Sequence, residues 1–261
     1  MIGIFDSGIG GLTVAKAIMN SLPSYDIVYM GDTARTPYGT KSAATIAEYS
    51  LQVSDFLFNI GAKIIVIACN TASSAAYTQV CENFGVPVFE PIEPAVDLAL
   101  KNSRKKQIGV IGTRATVKSG VYEKMIMKKN GRSRIHSAAC PLLVPIVEEG
   151  WLNRPETTMI IKKYLHPLKT RQIDSLILGC THFPILKKII QRKMGKRVYL
   201  VDSSLAIAEK IKSFLEDHPD VDEQISKTGS TRFMVSDLTD RFEQSARTIL
   251  KRRILLEHAD L

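Results

Sequence analysis

The 261-residue sequence has few cysteines, a single tryptophan and no long apolar run. Its four cysteines form no C-x-x-C pair and are too scattered for a disulfide framework in a chain of this length. No stretch approaches the roughly 18 to 20 unbroken apolar residues of a membrane span, and no basic and apolar leader precedes the strand-like residues 1–5. No Cys/His cluster has the spacing of a zinc site. We therefore expect a cytoplasmic protein with free thiols, no metal and no membrane partner.

The sequence also has little excess charge outside one segment. Its net charge of +9 first suggests a polyanionic partner such as nucleic acid. Residues 101–134, however, hold eleven Lys and Arg against the single acid Glu123, a local net charge of +10, so the rest of the chain sums to −1. This basic segment has one aromatic residue, Tyr122, and no helix-turn-helix signature. We expect it to be a solvated, lysine-rich surface, and we expect no nucleic-acid partner.

Short β-branched runs alternate along the chain with segments of helical periodicity. Continuous apolar runs, such as residues 64–68, are typical of parallel strands that helices cover on both faces. The sequence therefore predicts an α/β fold with mainly parallel sheets. The predicted strands are Ile2–Phe5, Ile27–Met30, Ile64–Ala68, Val86–Phe89, Ile108–Ile111, Ile135–Ser137, Ser175–Leu178, Val198–Val201 and Arg232–Val235.

A weak internal repeat divides the chain. Residues 63–69 and 174–180 each have the pattern of a strand that ends in cysteine and is followed by a polar residue and a helix. We infer two similar lobes, each an αβα sandwich, with the active site in the cleft between them. The first lobe is expected to comprise residues 1–98 and 206–261, and the second lobe residues 99–205.

Cys69 and Cys180 each lie at the expected carboxyl edge of a parallel sheet, where the following helices present their N-termini to ligands. Asn70 is the expected N-cap of the first helix, and Thr181 or His182 begins the second. A helix N-terminus favours thiolate and so lowers the pKa of a thiol. Two such thiols across a cleft suit a reaction that removes a proton from one face of a carbon atom and returns it to the other. The alternative for either cysteine is a small buried apolar residue.

A glycine-rich loop that begins at Asp6 follows the first strand and opens a helix. Its glycines let the backbone approach a small anion, and Asp6 can hold an ammonium group or orient a base. A dinucleotide site is the alternative, because Gly8-x-Gly10-x-x-Thr13 is similar to G-x-G-x-x-G and Asp32 follows the second strand. The threonine in place of glycine weighs against that alternative, as does a carboxylate that would repel pyrophosphate.

Three further side chains are candidates for the site. The turn-rich loop of residues 32–39 can offer backbone N–H groups and the phenol of Tyr38 to a carboxylate. His182, two residues after Cys180, can protonate or orient that thiol, or can be a polar cap residue. Glu148 lies in a polar turn, where most acids merely face solvent.

Together these motifs resemble those of one family, the glutamate racemases, which are cofactor-independent isomerases that supply D-glutamate for peptidoglycan synthesis. The resemblance covers nearly the whole chain, and its most specific element is the pair of Cys motifs 111 residues apart. The matching residues are Asp6-Ser-Gly-x-Gly-Gly11, Gly31-Asp-Thr33, Pro37-Tyr-Gly39, Ala68-Cys-Asn-Thr-Ala72, Gly112-Thr113 with Thr116, Glu148, and Gly179-Cys-Thr-His182 followed by Phe183-Pro184.

The resemblance implies a pseudo-symmetric fold that binds glutamate between two lobes and uses no cofactor. It implies that Cys69 and Cys180 each act as base toward one enantiomer and as acid in the reverse direction. Asp6 and His182 would assist the two thiols, with Glu148 as a further helper. The residues expected to bind substrate are Asp6, Ser7, Tyr38, Gly39, Asn70, Thr71, Thr113, Thr116, Thr181 and His182. Members of the family vary in oligomeric state, and a homodimer is consistent with the resemblance.

Two other functions stay open. A racemase of the same superfamily that acts on aspartate or another amino acid shares the two-thiol logic, because the length of the pocket sets the substrate. A nucleic-acid-binding protein that uses residues 101–134 is the more remote alternative.

Overall fold

A computed structural model describes residues 1–261 as ten strands and twelve α-helices. The strands are β1 (Ile2–Asp6), β2 (Ile27–Gly31), β3 (Ile64–Ile67), β4 (Val88–Phe89), β5 (Gln107–Gly112), β6 (Arg134–Ala139), β7 (Ser175–Gly179), β8 (Tyr199–Asp202), β9 (Thr231–Val235) and β10 (Leu256–His258). The helices are α1 (Leu12–Ser21), α2 (Ala43–Asn59), α3 (Asn70–Asn83), α4 (Ile92–Asn102), α5 (Arg114–Ser119), α6 (Val121–Lys129), α7 (Leu143–Glu148), α8 (Pro155–Thr170), α9 (Lys187–Met194), α10 (Ser203–Asp217), α11 (Pro219–Asp222) and α12 (Asp240–Leu250). Short 3₁₀ turns span Thr33–Arg35, Tyr38–Thr40 and Phe183–Leu186.

The strands form two parallel sheets with the same internal order. The first runs β10-β9-β2-β1-β3-β4 and the second β6-β5-β7-β8, so β2-β1-β3-β4 of the first corresponds to the whole of the second. Every pairing is parallel. The expected α/β class and the internal repeat are thus both confirmed, and β3 and β7 occupy equivalent places in the two sheets.

Burial explains why the apolar runs form inner strands. All four residues of β3 and all five of β7 are buried, because helices cover both faces of each sheet. The largest apolar cluster contains residues of both sheets, among them Ile4 of β1 and Leu178 of β7. Helices α1 and α10 pack against each other in this cluster. The two sheets therefore share a core that fixes their carboxyl edges relative to one another.

The division of the chain into lobes stays a prediction, but the packing of two regions bears on it. Helix α4 buries Ile92, Ala95 and Val96 in a cluster with residues of β5, β7 and β8, so it packs on the second sheet. The expected boundary at residue 98 falls inside this helix. Strand β10 lies in the C-terminal stretch for which the sequence predicted no element, and it extends the first sheet beyond β9.

The basic segment of residues 101–134 lies at the surface as expected. Ten of its eleven cationic side chains are exposed, and Lys106 is half-buried. Lys129 pairs with Glu93 at 3.2 Å and with Asp97 at 2.6 Å, so part of its charge is neutralised locally. No helix combines the length and the apolar character that crossing a bilayer requires.

Candidate active site

The two strand-end cysteines line one cavity. Phe5 pairs with Ile67 in the first sheet and Gly112 with Gly179 in the second, so the two paired strands of each sheet end together, and residues that follow both pairs line the same cavity. Ten residues that the sequence predicted lie in the cavity wall, whereas Asp6, Thr116 and Glu148 lie behind it. The ten are Ser7, Tyr38, Gly39, Cys69, Asn70, Thr71, Thr113, Cys180, Thr181 and His182.

Cys69 is itself the N-cap of helix α3, so the expectation that Asn70 would cap this helix was wrong. Its Sγ accepts a hydrogen bond from the N–H of Ala72 at 3.5 Å, and the helix begins at Asn70. The hydroxyl of Ser7 lies 3.8 Å from the same sulfur. A residue that caps a helix has its side chain held against the first free N–H groups. The cap therefore fixes the Cys69 sulfur in the cavity wall.

The protonation of Cys69 differs from the sequence prediction. Burial and the nearby charge of Asp6 raise the pKa of Cys69 to about 12, although the N–H of Ala72 and the hydroxyl of Ser7 oppose them. The helix N-terminus does lower this pKa through the N–H of Ala72, as predicted, but the expected net lowering was wrong, because desolvation of the charged form outweighs the helix. Cys69 is a neutral thiol at pH 7 and can donate a proton.

Cys180 has a charged neighbour. The Nδ1 atom of His182 lies 3.8 Å from its Sγ, and Nε2 lies 2.6 Å from Oε1 of Glu148. Burial disfavours the imidazolium, but the bonds to Cys180 and Glu148 outweigh it and raise the pKa of His182 to about 10. The chain after Cys180 forms a 3₁₀ turn before α9, instead of the α-helix expected to start at Thr181 or His182. Glu148, for which the sequence indicated only a polar turn, is the carboxylate that bonds to the imidazole ring of His182.

Asp6 lies behind the cavity wall and is fully buried. Its carboxylate accepts hydrogen bonds from the N–H of Gly8 at 3.0 Å and from the hydroxyl of Thr181 at 3.2 Å. Burial raises the pKa of Asp6, while the charge of His182 and these hydrogen bonds oppose the rise. The carboxylate thus influences Cys69 through charge and contacts the segment that carries Cys180.

Three threonine hydroxyls form a closed network between the two sheets. Thr71 of α3 lies 2.9 Å from Thr113 and 3.2 Å from Thr116, and the last two lie 3.0 Å apart. Thr113 also caps helix α5, because its hydroxyl accepts from the N–H of Thr116. Thr116 therefore reaches the cavity only through the other two hydroxyls.

The phenol of Tyr38 does not point its proton at the cavity. It donates to the buried carboxylate of Asp32, which also accepts from Nε of Arg35 at 2.7 Å and from the hydroxyl of Ser236 at 2.9 Å. The expectation that this phenol donates to a ligand was wrong. The backbone N–H groups of Tyr38 and Gly39 have no acceptor within the chain and remain available.

The glycine loop is closed to a dinucleotide. A Cβ atom on Gly10 would lie 2.3 Å from the hydroxyl of Thr181 and 2.4 Å from Nδ1 of His182. The loop therefore packs against the second Cys motif and leaves no space for a pyrophosphate. The carboxylate of Asp32 already accepts hydrogen bonds from Arg35 and Tyr38, so it is not free to bind a ribose.

Six wall residues had no predicted role in binding or catalysis: Pro37, Thr40, Arg114, Pro141, Val144 and Pro145. The signal was available for some of them, because Arg114 and Pro141 follow the ends of β5 and β6 at the same carboxyl edge. Arg114 is exposed and adds a positive charge beside the cavity. Nowhere do three His, Cys, Asp or Glu side chains converge as a set that could hold a metal ion.

Comparisons with known proteins agree with this geometry. Residues 12–211 match the Asp/Glu/Hydantoin racemase family. The glutamate racemase of Aquifex pyrophilus is 52% identical over 216 residues, which are 83% of this chain and 84% of that protein. The crystal structure of glutamate racemase isoform RacE1 from Bacillus anthracis has a TM-score of 0.94 at 34% identity and covers 100% of this chain and 97% of its own. That of glutamate racemase from Francisella tularensis in complex with D-glutamate has a TM-score of 0.91 at 38% identity, with 99% and 97% covered. The chain therefore belongs to the Asp/Glu/Hydantoin racemase family, as its motifs indicated.

Proposed function

We propose that this chain is a glutamate racemase that interconverts L- and D-glutamate without a cofactor. The observation that carries the proposal is the position of Cys69 and Cys180 at equivalent strand ends, in the wall of a single cavity. The names of the similar proteins support glutamate as the substrate. Two acid–base groups on opposite sides of one bound molecule are what inversion at Cα requires.

The proton balance needs one thiolate and one thiol at the start of each turnover. The thiolate removes the Cα proton from one face, and the electron pair of that bond is left on Cα and its carboxylate. The thiol on the other side then donates its proton to the opposite face. The two sulfurs have exchanged protonation states at the end, so the protein is set for the reverse reaction.

The surroundings of the two sulfurs suit these roles. The Cys69 thiol, with its pKa raised to about 12, is a proton donor, and Ser7 lies beside it. The imidazolium of His182 stabilises negative charge on Cys180 and can exchange a proton with it at Nδ1. Glu148 holds that ring, and we propose that Asp6 balances the charge of the site from behind the wall.

The substrate needs several hydrogen-bond donors in a site from which water is excluded. Removing the Cα proton without an electron-withdrawing cofactor places charge on the adjacent carboxylate, and fixed donors stabilise that charge. The Nδ2 atom of Asn70 is buried in the wall without a partner, which marks it as such a donor. The free N–H groups of Tyr38 and Gly39 are a second set. We propose that the remaining contacts come from Asp6, Ser7, Thr71, Thr113, Thr181 and His182, with Thr116 supporting Thr71 and Thr113.

The cellular role follows from the product. We propose that the reaction supplies D-glutamate for peptidoglycan synthesis, and so for cell shape, in the cytoplasm. A homodimer remains compatible with this role.

The test is racemisation by single-cysteine variants, followed by circular dichroism of glutamate. Cys69→Ala and Cys180→Ala should each lose roughly 10²- to 10⁴-fold in kcat, the usual contribution of an acid or base. Cys81→Ala is the matched control, because this thiol is exposed on helix α3 and away from the cavity. Near wild-type turnover in either of the first two variants would contradict the proposal.

Three further measurements test the proposal against the alternatives. Deuterium from solvent should enter Cα of both glutamate enantiomers without added cofactor. Racemisation of D-aspartate at the rate of D-glutamate would instead indicate a broader amino-acid racemase. Tight, salt-dependent binding of duplex DNA would be evidence for the basic segment as a second functional surface.

A further inference from the structure

The side-chain amide of Asn70 has one partner within the chain. The hydroxyl of Tyr122, on helix α6, lies 2.5 Å from Oδ1 of Asn70, and both residues are about 1% exposed. Asn70 follows Cys69 and lines the cavity, whereas its Nδ2 atom is buried and has no partner. Tyr122 is absent from the cavity wall, so this amide is the wall side chain to which its hydroxyl bonds.

The hydroxyl of Tyr122 favours one orientation of the amide. With Oδ1 toward the phenol, the hydroxyl proton and Oδ1 are both satisfied, and Nδ2 is left for a ligand. In the flipped orientation Nδ2 donates to the phenol oxygen, and the buried hydroxyl proton has no acceptor. Because a buried donor without an acceptor is unfavourable, the first orientation is preferred. Burial raises the pKa of Tyr122 well above its usual value, so the phenol keeps its proton.

Tyr122 also contacts the second Cys motif. A Cβ atom on Gly179, the residue before Cys180, would lie 3.0 Å from the Tyr122 ring. The ring belongs to the buried cluster of α4, β5 and β7, which holds it rigidly. One side chain therefore packs against the strand that precedes Cys180 and bonds to the residue that follows Cys69.

On the basis of the function proposed above, we propose that Tyr122 is a positioning residue that turns the Asn70 amide so that its NH₂ group faces a carboxylate of the substrate. The recognised chemistry is an acceptor-only group, because the outward atom is a donor. Tyr122 thereby makes the site selective for a carboxylate at this place over an ammonium group.

The first test is Tyr122→Phe, which removes one oxygen and leaves the ring in the core. We expect KM for both glutamate enantiomers to rise about tenfold, equivalent to about 1.4 kcal/mol, with a smaller change in kcat. Tyr25→Phe is the matched control, because its hydroxyl bonds to Asp222 away from the cavity. A structural role alone would lower the melting temperature and leave KM unchanged, and that result would overturn the proposal.

A double-mutant cycle tests whether the effect passes through Asn70. Asn70→Ala should raise KM, and adding Tyr122→Phe to it should cause no further rise, because the amide to be positioned is gone. Asn70→Asp should bind glutamate more weakly than Asn70→Ala, because a carboxylate would face a carboxylate. Multiplicative effects in the cycle, or tighter binding by Asn70→Asp, would each contradict the proposal.

Nitrogen-15 NMR of the Asn70 side chain separates this proposal from the catalytic one. Its two Nδ2 protons should shift and broaden in Tyr122→Phe and not in Tyr25→Phe, whether or not the chain racemises glutamate. Unchanged signals in Tyr122→Phe would refute the positioning role. If the wild-type chain does not racemise glutamate but the Asn70 signals still respond to Tyr122→Phe, only the proposed substrate is refuted.

Discussion

Replacing Glu148 by glutamine should lower the pKa of His182 and narrow the pH range of activity. The ring has a pKa of about 10 in place of 6.5, although its burial alone would lower the value. One pKa unit corresponds to about 1.4 kcal/mol, so the rise represents roughly 5 kcal/mol of favourable interaction with the imidazolium. Cys180 and Glu148 share this interaction. The Glu148 side chain is 28% exposed and partly screened, so we assign about 2 kcal/mol to it.

In Glu148→Gln the pKa of His182 should therefore fall to roughly 8.5. The chain has five histidines, so NMR titration of the imidazole nitrogens can follow each ring. In parallel, we expect kcat/KM, measured from pH 6 to 10, to decline with rising pH in both proteins. The decline in Glu148→Gln should occur about one to two pH units below that of the wild type. Glu149→Gln is the control, because Glu149 pairs with Arg241 at 2.8 Å instead of with the ring.

The same pair has a signature in stability. A group whose pKa is raised on folding contributes stability that is fully present below its unfolded value, here 6.5, and is lost as the pH rises through about 10. The wild type should thus exceed Glu148→Gln in free energy of unfolding at pH 6, and the difference should shrink by pH 10. A His182 pKa that is the same in both proteins would refute the reasoning.

Two further predictions concern other parts of the site. Gly10→Ala should lower the melting temperature and should lower kcat/KM by at least about tenfold, because the new methyl group would overlap Thr181 and His182. Gly85→Ala is the control: a Cβ atom there meets nothing within 4 Å, so both quantities should stay unchanged. Iodoacetamide at pH 8 should modify exposed Cys81 well before Cys69, whose burial and pKa of about 12 leave almost no thiolate. Mass spectrometry of the labelled peptides checks the order, and faster labelling of Cys69 would show that the sulfur is more accessible or more acidic than its surroundings indicate.

The sequence predicted those parts of the fold that depend on local pattern. Nine strands were placed from apolar runs, and the strand-end rule placed both cysteines at the ligand edge. Strand β10 was missed because Leu256–His258 is short, only partly buried and recognisable only from its pairing with β9. The 3₁₀ turn after Cys180 likewise depends on how the loop packs against Gly10.

The chemistry of the site depended on contacts between residues far apart in sequence. The phenol of Tyr38 turns from the cavity because Asp32 is held in place, in part by Ser236. The pKa of Cys69 is raised mainly by burial in the folded chain, which the local sequence does not show. Glu148 gains a role because folding brings it to His182. Local patterns identify reactive side chains, whereas their proton states require the assembled structure.

The order of strands in the first sheet also determines when that sheet can be completed during synthesis. Strand β2 pairs with β9, so this pairing cannot form until residues 231–235 have left the ribosome, long after residues 27–31. The second sheet needs only residues 107–202 and can form earlier. Until β9 arrives, β2 presents an unpaired edge that can template pairing with another chain. A ribosome that stalls between these strands therefore leaves a nascent chain with a finished second sheet and an aggregation-prone first one.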